Sequence, residues 1–284
     1  MSNNLSIIIT LFKTPLNRLK ILNQYKNYPI LIFDQETKNN SEQISKIIDV
    51  NFEYFHSNNN LGLCKSTNFL ISKVKTKYFL FTQADIKIDE NSIENLIKGM
   101  NTKENIIFAG PVFNQLKSAN EIKQLEQNYK LKSELDASVM LCDLEKVKQI
   151  GFFDEDFFLY WEDKDLMERV NKSNFKMIQI LNSYVNHDAG KSTPDNTRVR
   201  FIRRTNFKYG ELLFDFKHKK IRVIKILRQI FQNIFFIPFN LIVLNKANII
   251  ENISQLLGIF KFIKFIFLKK KSKNVKIYEK NEHY

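Results

Sequence analysis

The chain has 284 residues, of which 44% are hydrophobic and 26% charged, with two cysteines and a formal charge of +14. That composition excludes a disordered chain; Cys64 and Cys142, far apart and without metal-ligand spacing, argue against a disulfide framework or a zinc site and fit a reducing compartment. The charge is unevenly spread: residues 1–197 hold 24 Lys and Arg against 25 Asp and Glu, whereas residues 198–284 hold 20 against 5, so the basic last third calls for an anionic partner such as membrane lipid, nucleic acid or a phosphorylated substrate.

Residues 5–11 (LSIIITL) form a continuous β-branched run, the pattern of a buried parallel strand. The run is short, with no basic flank before it and no small-residue cleavage site after it, so it is not expected to be a signal peptide. Thr14-Pro15 opens a helix with apolar positions Leu16, Leu19, Ile21, Leu22 and Tyr25. A strand follows from Ile30 to Phe33 and ends at Asp34, then a helix from Ser41 to Ile48 and a strand from Phe52 to Phe55. A polar loop, Ser57 to Asn60, leads into a helix over Leu61 to Lys73. The strand Tyr78 to Thr82 runs into Gln83-Ala84-Asp85; Asp89 is placed to cap a helix over Asn91 to Met100, and a strand over Ile106 to Ala109 continues the alternation. Strands alternating with helices predict an α/β fold with a mostly parallel sheet covered on both faces, and ligands beyond the carboxyl ends of the strands. Asp34 and Asp85 both fall at such ends.

After Ala137 the pattern is less regular. A strand is expected over Ala137 to Cys142, a helix over Leu144 to Gln149 and a break at Gly151. An aromatic run, Phe157 to Trp161, precedes a helix from Glu162 to about Lys172; the strand Lys176 to Ile180 is followed by a loop carrying His187, and Pro194 marks the start of a basic helix. The C-terminal region mixes Lys and Arg with Ile, Leu and Phe. Its apolar runs, Ile230 to Leu244 and Ile259 to Leu268, are interrupted by Gln232, Asn233, Pro238, Asn240, Lys261 and Lys264, and neither reaches the roughly 20 apolar residues of a spanning helix. Basic, Phe-rich amphipathic helices lie in the membrane interface; the alternative is a helical cap on the domain before it. The expected division is a domain over 1–197 and a basic helical region over 198–284.

Four features can carry chemistry. Asp34 can accept hydrogen bonds from a base or ribose, or serve a turn. Asp85, at the tip of a strand too apolar to be exposed, can offer carboxylate oxygen to a hard divalent cation that also takes diphosphate oxygens. Glu162, Asp163 and Asp165 fall within four residues at a helix start; the helix dipole favours acids there, and two adjacent acids beside Trp161 also fit a general base acting on a sugar hydroxyl. His187, flanked by Asp188 and Gly190, is a candidate metal ligand. No Gly-x-Gly-x-x-Gly follows the first strand, and no P-loop, Gly-x-Ser-x-Gly elbow or nucleic-acid module is present.

In order, the segments SIIIT (6–10), LIFDQET (31–37), NNNLGLCKSTNFLIS (58–72), YFLFTQADIKID (78–89), GFFDEDFFLYWEDKDLMERV (151–170) and VNHDAGKST (185–193) resemble glycosyltransferase family 2, most closely its rhamnosyltransferase-like members. The resemblance implies a GT-A fold, Rossmann-like, and an inverting transfer from a UDP- or dTDP-sugar to a glycan hydroxyl. It implies Asp34 at the nucleotide base, with Thr10, Asn60, Gly62, Lys65 and Gln83 along the nucleotide-sugar. Asp85 matches the last acid of the Asp-x-Asp motif, where Gln83 stands for the first, and with His187 would hold Mg2+ or Mn2+. Asp163 matches the catalytic base, with Glu162 beside it and Trp161 and Asp165 toward the acceptor. With the basic region, it further implies a lipid-linked acceptor in surface polysaccharide biosynthesis, an enzyme peripheral on the inner face of the cytoplasmic membrane, and no nucleic-acid partner. Two rival readings remain at this point: a nucleotidyltransferase, which would carry a Gly-rich loop after the first strand, and an inactive or non-enzymatic basic membrane-binding protein on a GT-A scaffold, which leaves the acids unexplained.

Overall fold

A computed structural model describes residues 4–113, 128–188, 193–194 and 196–268. Part of the VNHDAGKST motif (189–192) and the end of the basic region (269–284) therefore lie outside the described residues. The chain divides into two compact units. The first comprises, of the described residues, those up to Phe153 and Leu166–Pro194; the second takes Asp154–Asp165 and the chain after Asp195. The break falls near 195, and the segment 154–165, which carries the three clustered acids, groups with the second unit.

The first unit is built on nine strands among the described residues: β1 (Leu5–Leu11), β2 (Ile30–Asp34), β3 (Phe52–His56), β4 (Tyr78–Thr82), β5 (Ile86–Ile88), β6 (Ile106–Phe113), β7 (Tyr129–Lys132), β8 (Met140–Asp143) and β9 (Lys176–His187). They form one sheet in the order β3-β2-β1-β4-β8-β6-β9-β5, with β7 pairing β9 off that path. The block β3-β2-β1-β4 is parallel. β8 then runs antiparallel to both β4 and β6, and β6 is again parallel to β9. The sheet is thus mostly parallel and mixed, as the alternation of elements implied. β2 and β4 are buried at every position, which is why they read as unbroken apolar runs rather than alternating ones.

Successive strand residues face opposite sides, and each side has its own cover. Leu5, Ile7, Ile9, Ile30, Ile32 and Leu80 join a cluster with Leu19, Leu22 and Tyr25 of the helix after β1 and with Ile93, Leu96 and Met100 of α3 (Glu90–Met100). On the other side Phe33 meets Phe69 of α2 (Leu63–Lys73) edge-on at 5.2 Å, and Phe79, Phe81 and Phe108 meet Phe152 at 5.7–6.0 Å. Burying a side chain of that size contributes roughly 1.5–3 kcal/mol.

Local structure departs from expectation in a few places. The helix after Pro15 is a 3₁₀ helix over Leu16–Tyr25. Its apolar residues Leu16, Leu19, Leu22 and Tyr25 recur every third position, which three residues per turn places on one face. Helix α1 (Ser41–Ser45) stops short of Ile48. The two short strands β5 and β7 were not anticipated. Most consequentially, β9 does not stop at Ile180 but continues to His187, so His187 ends a strand instead of riding a loop. Asp89 caps α3 as expected, accepting from Ser92 N at 2.7 Å, and Asp143 caps α4 (Leu144–Ile150) through Lys146 N.

The second unit contains α6 (Thr197–Lys217), α7 (Val223–Ile242) and α8 (Lys246–Phe267), with α8 packed against both others. α5 (Glu162–Asn171) has its first turn, Glu162–Asp165, in this unit. α6 organises the segment before it. Lys217 Nζ donates to Asp154 Oδ2 at 2.5 Å and Asp156 Oδ2 at 2.6 Å, and Tyr209 Oη donates to the carbonyl of Asp156 at 3.1 Å.

Candidate functional site

In the first unit, the site forms where β4 ends. Asp85 follows β4 by three residues and is buried. The chain then turns straight into β5, which pairs antiparallel with the end of β9: Ile86 opposite His187, Lys87 opposite Asn186 and Ile88 opposite Val185. A backbone bond from Asp188 N to Asp85 O, 3.0 Å, closes this pairing. The register sets His187 Nε2 3.6 Å from Asp85 Oδ1, although the residues are about a hundred positions apart in sequence. Both line a cavity of about 570 Å³ whose wall also includes Arg18 of the 3₁₀ helix, Lys87 and Asp188. Arg18 lies 3.6 Å from Asp188. Arg18 and Lys87, beside the carboxylates of Asp85 and Asp188 and the imidazole of His187, make a cavity that can take a metal-bound anion.

No group of three His, Cys, Asp or Glu able to hold a metal occurs among the described residues. A site with one carboxylate and one imidazole nonetheless fits Mg2+ or Mn2+ when substrate supplies the remaining ligands, since such ions are bound through one or two carboxylates together with phosphate oxygens.

The remaining nucleotide-side candidates lie at the same carboxyl edge. Thr10 is the half-buried penultimate residue of β1, in register with Phe33. Gln83, half-buried, is the first residue beyond β4. Asp34 ends β2 and is buried, and its carboxylate is bonded locally: Oδ2 accepts from Tyr54 Oη at 2.8 Å and Asn40 Nδ2 at 3.0 Å, and Oδ1 from Glu36 N at 3.2 Å. Burial, and then the Asp34 carboxylate, push the Tyr54 hydroxyl above its ordinary pKa. Beside it, Asn60 Oδ1 accepts from Gly62 N at 3.0 Å, and Gly62 has φ 84° where the chain turns into α2. Only glycine takes that conformation without strain. Lys65 sits half-buried in the first turn of α2, where free backbone N–H groups and the helix dipole favour an anion. Sequence reasoning missed Gln35, which ties this loop to β2: its Oε1 accepts from Leu61 N at 2.8 Å and its Nε2 donates to Ser66 Oγ at 3.3 Å.

In the second unit, the acids stand behind a strained entry. Tyr160 and Trp161 both have left-handed backbone, φ 69° and 71°, which costs non-glycine residues of order 1–3 kcal/mol each. Packing holds them there: Trp161 lies 5.7 Å from the ring of Phe207 and 5.4 Å from that of Phe214 on α6. Gly210 lets α6 come in close, since a Cβ there would stand 2.5 Å from the carbonyl of Tyr160. Trp161 Nε1 and Glu162 Oε2 are buried with no hydrogen-bond partner among the described residues. Asp163 is half-buried, its Oδ1 accepting from Lys164 N at 2.8 Å. Asp165 is buried with His218 Nε2 2.9 Å from its Oδ1. Nothing near His218 in sequence signalled that contact.

Burial, followed by the neighbouring charge of Asp163, pushes Glu162 from its ordinary 4.5 to about 8. Between those values the folded chain keeps a proton that the unfolded chain releases. Folding therefore takes up a proton, and stability falls as pH rises, by at most about 1.4 kcal/mol per pH unit. Glu162→Gln removes that ionisation. Its melting temperature is expected to match the parent's near pH 5 and to exceed it by several degrees near pH 8.5; a gap that does not widen with pH would refute the buried, neutral acid.

The chain has a GT-A-like fold. It is similar to the mannosyltransferase PcManGT from Pyrobaculum calidifontis, a structure in complex with GDP-Man and Mn2+, with a TM-score of 0.56 at 10% identity over 94% of this chain and 88% of that one. It is also similar to residues 1–349 of S. aureus TarS, with a TM-score of 0.50 at 11% identity over 95% and 93%. Identities this low speak for the fold alone. No protein of curated function matches in sequence. The sequence model of glycosyl transferase family 2 matches residues 16–166, more than half of the chain. The protein belongs to glycosyl transferase family 2 and is a glycosyltransferase.

Proposed function

We propose that the protein moves a sugar from a UDP- or dTDP-linked donor, with inversion, to a hydroxyl of a lipid-linked glycan during surface polysaccharide assembly, on the inner face of the cytoplasmic membrane. The observation that supports this most is the approach of His187 to Asp85 within a cavity that also carries Arg18 and Lys87, in a chain of this family. The reaction is a single displacement. The acceptor oxygen attacks the anomeric carbon, the bond from that carbon to the nucleotide diphosphate breaks, and Asp163 takes the hydroxyl proton. Burial keeps Glu162 protonated near neutral pH, so of the adjacent pair Asp163 is the one left to accept a proton; environments that drive two acids apart in this way assign their roles. Trp161 and Asp165 belong to the acceptor side. Asp85 and His187 would hold Mg2+ or Mn2+, which when bound offsets the charge developing on the leaving diphosphate. Arg18 and Lys87 add positive charge to the same cavity.

Donor choice belongs to the same proposal. A rhamnosyltransferase-like enzyme would take a dTDP-deoxyhexose, and PcManGT is described with GDP-Man and Mn2+, so the panel should hold UDP-, dTDP- and GDP-sugars with Mn2+ or with chelator. One donor is expected to be hydrolysed slowly in Mn2+ and to be left intact in chelator. A protein that consumes none of them, and whose melting temperature no nucleotide diphosphate raises, would sink the reading.

A further inference from the structure

The hairpin of α7 and α8 carries amides in its seam and a broad apolar face outside it. The positions of α7 buried in the hairpin are Ile226, Asn233 and Asn240, a seven-residue repeat of the kind that forms a helix–helix seam, and two of the three are amides. Across the seam, Asn252 of α8 donates to Asn233 Oδ1 at 2.9 Å and accepts from Asn240 Nδ2 at 3.0 Å, while Asn233 Nδ2 donates to Gln255 Oε1 at 3.3 Å. Ile226, Ile230 and Ile237 share the seam side, but most of the large apolar side chains of α7 stand outside it. Ile224 is 83% exposed and Phe231 73%, with Leu227, Ile234, Phe235 and Phe239 also more than half exposed. At 3.6 residues per turn, the exposed apolar positions of α7 spread over roughly 200° of its circumference. The turn to α8 continues the surface, with Ile242 and Leu244 about 80% exposed.

Water disfavours so wide an exposed apolar face, since helices in water turn their apolar stripe inward and polar residues outward. Amide bonds between helices and apolar side chains outside are the arrangement of helices in lipid. The start of α7 adds charge of the right sign: a cavity of about 740 Å³ is lined by Arg222, Lys225 and Arg228 together with Val223 and Ile224, which pairs cations with apolar walls as a phospholipid headgroup and its chains require. Lys225 also bonds Glu211 at 3.0 Å. None of the described helices is long and apolar enough to cross a membrane. We infer that the α7–α8 hairpin sinks its apolar outer face into one leaflet of an anionic bilayer, held together inside by the Asn233–Asn252–Asn240 seam. A second copy of the chain is a poorer occupant. One flat partner cannot cover an arc that wide, and residues 198–284 carry 20 basic against 5 acidic side chains, so two such regions repel.

The inference rests on the membrane-bound part of the proposed function, and one experiment separates the two. The full chain carrying Phe235→Cys, labelled with an environment-sensitive fluorophore, is floated with phosphatidylglycerol-rich vesicles, with phosphatidylcholine vesicles and with vesicles brominated along the acyl chains; Cys64 and Cys142 are buried and should not react. A matching label at the exposed strand residue Glu53, introduced as Glu53→Cys, serves as control. The expected result is flotation with the anionic vesicles, a blue shift at position 235 and at least twofold quenching by bromine there but not at position 53. In the unlabelled chain, the triple change Phe231→Ser, Phe235→Ser and Phe239→Ser should lower vesicle partitioning at least tenfold while leaving nucleotide binding unchanged. Flotation without quenching at 235 overturns the hairpin insertion and spares the membrane reading. Absence of flotation overturns both. A vesicle-independent dimer that shields position 235 overturns the insertion in favour of a second copy.

Discussion

Asp163→Asn is expected to abolish sugar transfer, lowering the rate at least about 1,000-fold, within the range a positioned general base supplies, while leaving donor affinity within a factor of about two. The substitution keeps the side chain's shape, and Asn can still accept from Lys164 N, the local bond that Asp163 makes at the helix start. What it removes is the capacity to take a proton. Glu162 cannot stand in, because its buried carboxyl holds its own proton until about pH 8. The measurement is single-turnover transfer beside donor binding by calorimetry. Retained turnover would pass the base role to another residue, and a rate that recovers above about pH 8 in the variant would point to Glu162.

Asp85→Ala should remove the Mn2+ dependence of nucleotide-diphosphate binding, with affinity falling on the order of 100-fold in the presence of metal and little in its absence. The scaffold should survive, because β5 pairs with β9 through backbone bonds, and the bond from Asp188 N uses the carbonyl of Asp85, which the substitution keeps. His187→Ala should give a smaller loss in the same direction, since it leaves the charged ligand in place. The readout is a diphosphate titration with and without Mn2+. Equal affinities for parent and variant in Mn2+ would show that the metal, if bound, sits elsewhere.

How far the sequence reveals this site depends on which forces act locally. β1, β2 and β4 are apolar at nearly every position because both faces are covered, so their ends, and hence the positions of Asp34 and Asp85, could be read directly from composition. The cap at Asp89 was equally legible, since a capping carboxylate bonds a backbone N–H only three residues away. The approach of His187 to Asp85 was not. It depends on the three-residue strand β5 and on β9 running on past Ile180, and pairing across so long a stretch of chain leaves no periodic trace in either segment. The alternation Ile86-Lys87-Ile88 was the one local hint, being buried, exposed and buried in turn. The contacts of Asp165 with His218, and of Asp154 and Asp156 with Lys217, were invisible for the same reason: each joins two segments about fifty to sixty residues apart.

Those last contacts bear on how the chain can be cut. A polypeptide stopped at residue 215 would end just inside α6 and lose α7 and α8 with it. It would lose the ammonium of Lys217 and the imidazole of His218, and with them the bonds these make to Asp154, Asp156 and Asp165 on either side of Glu162 and Asp163. Loss of transfer by such a fragment would therefore not point to lipid, and an excision confined to α7 and α8 is the cleaner way to ask what they contribute.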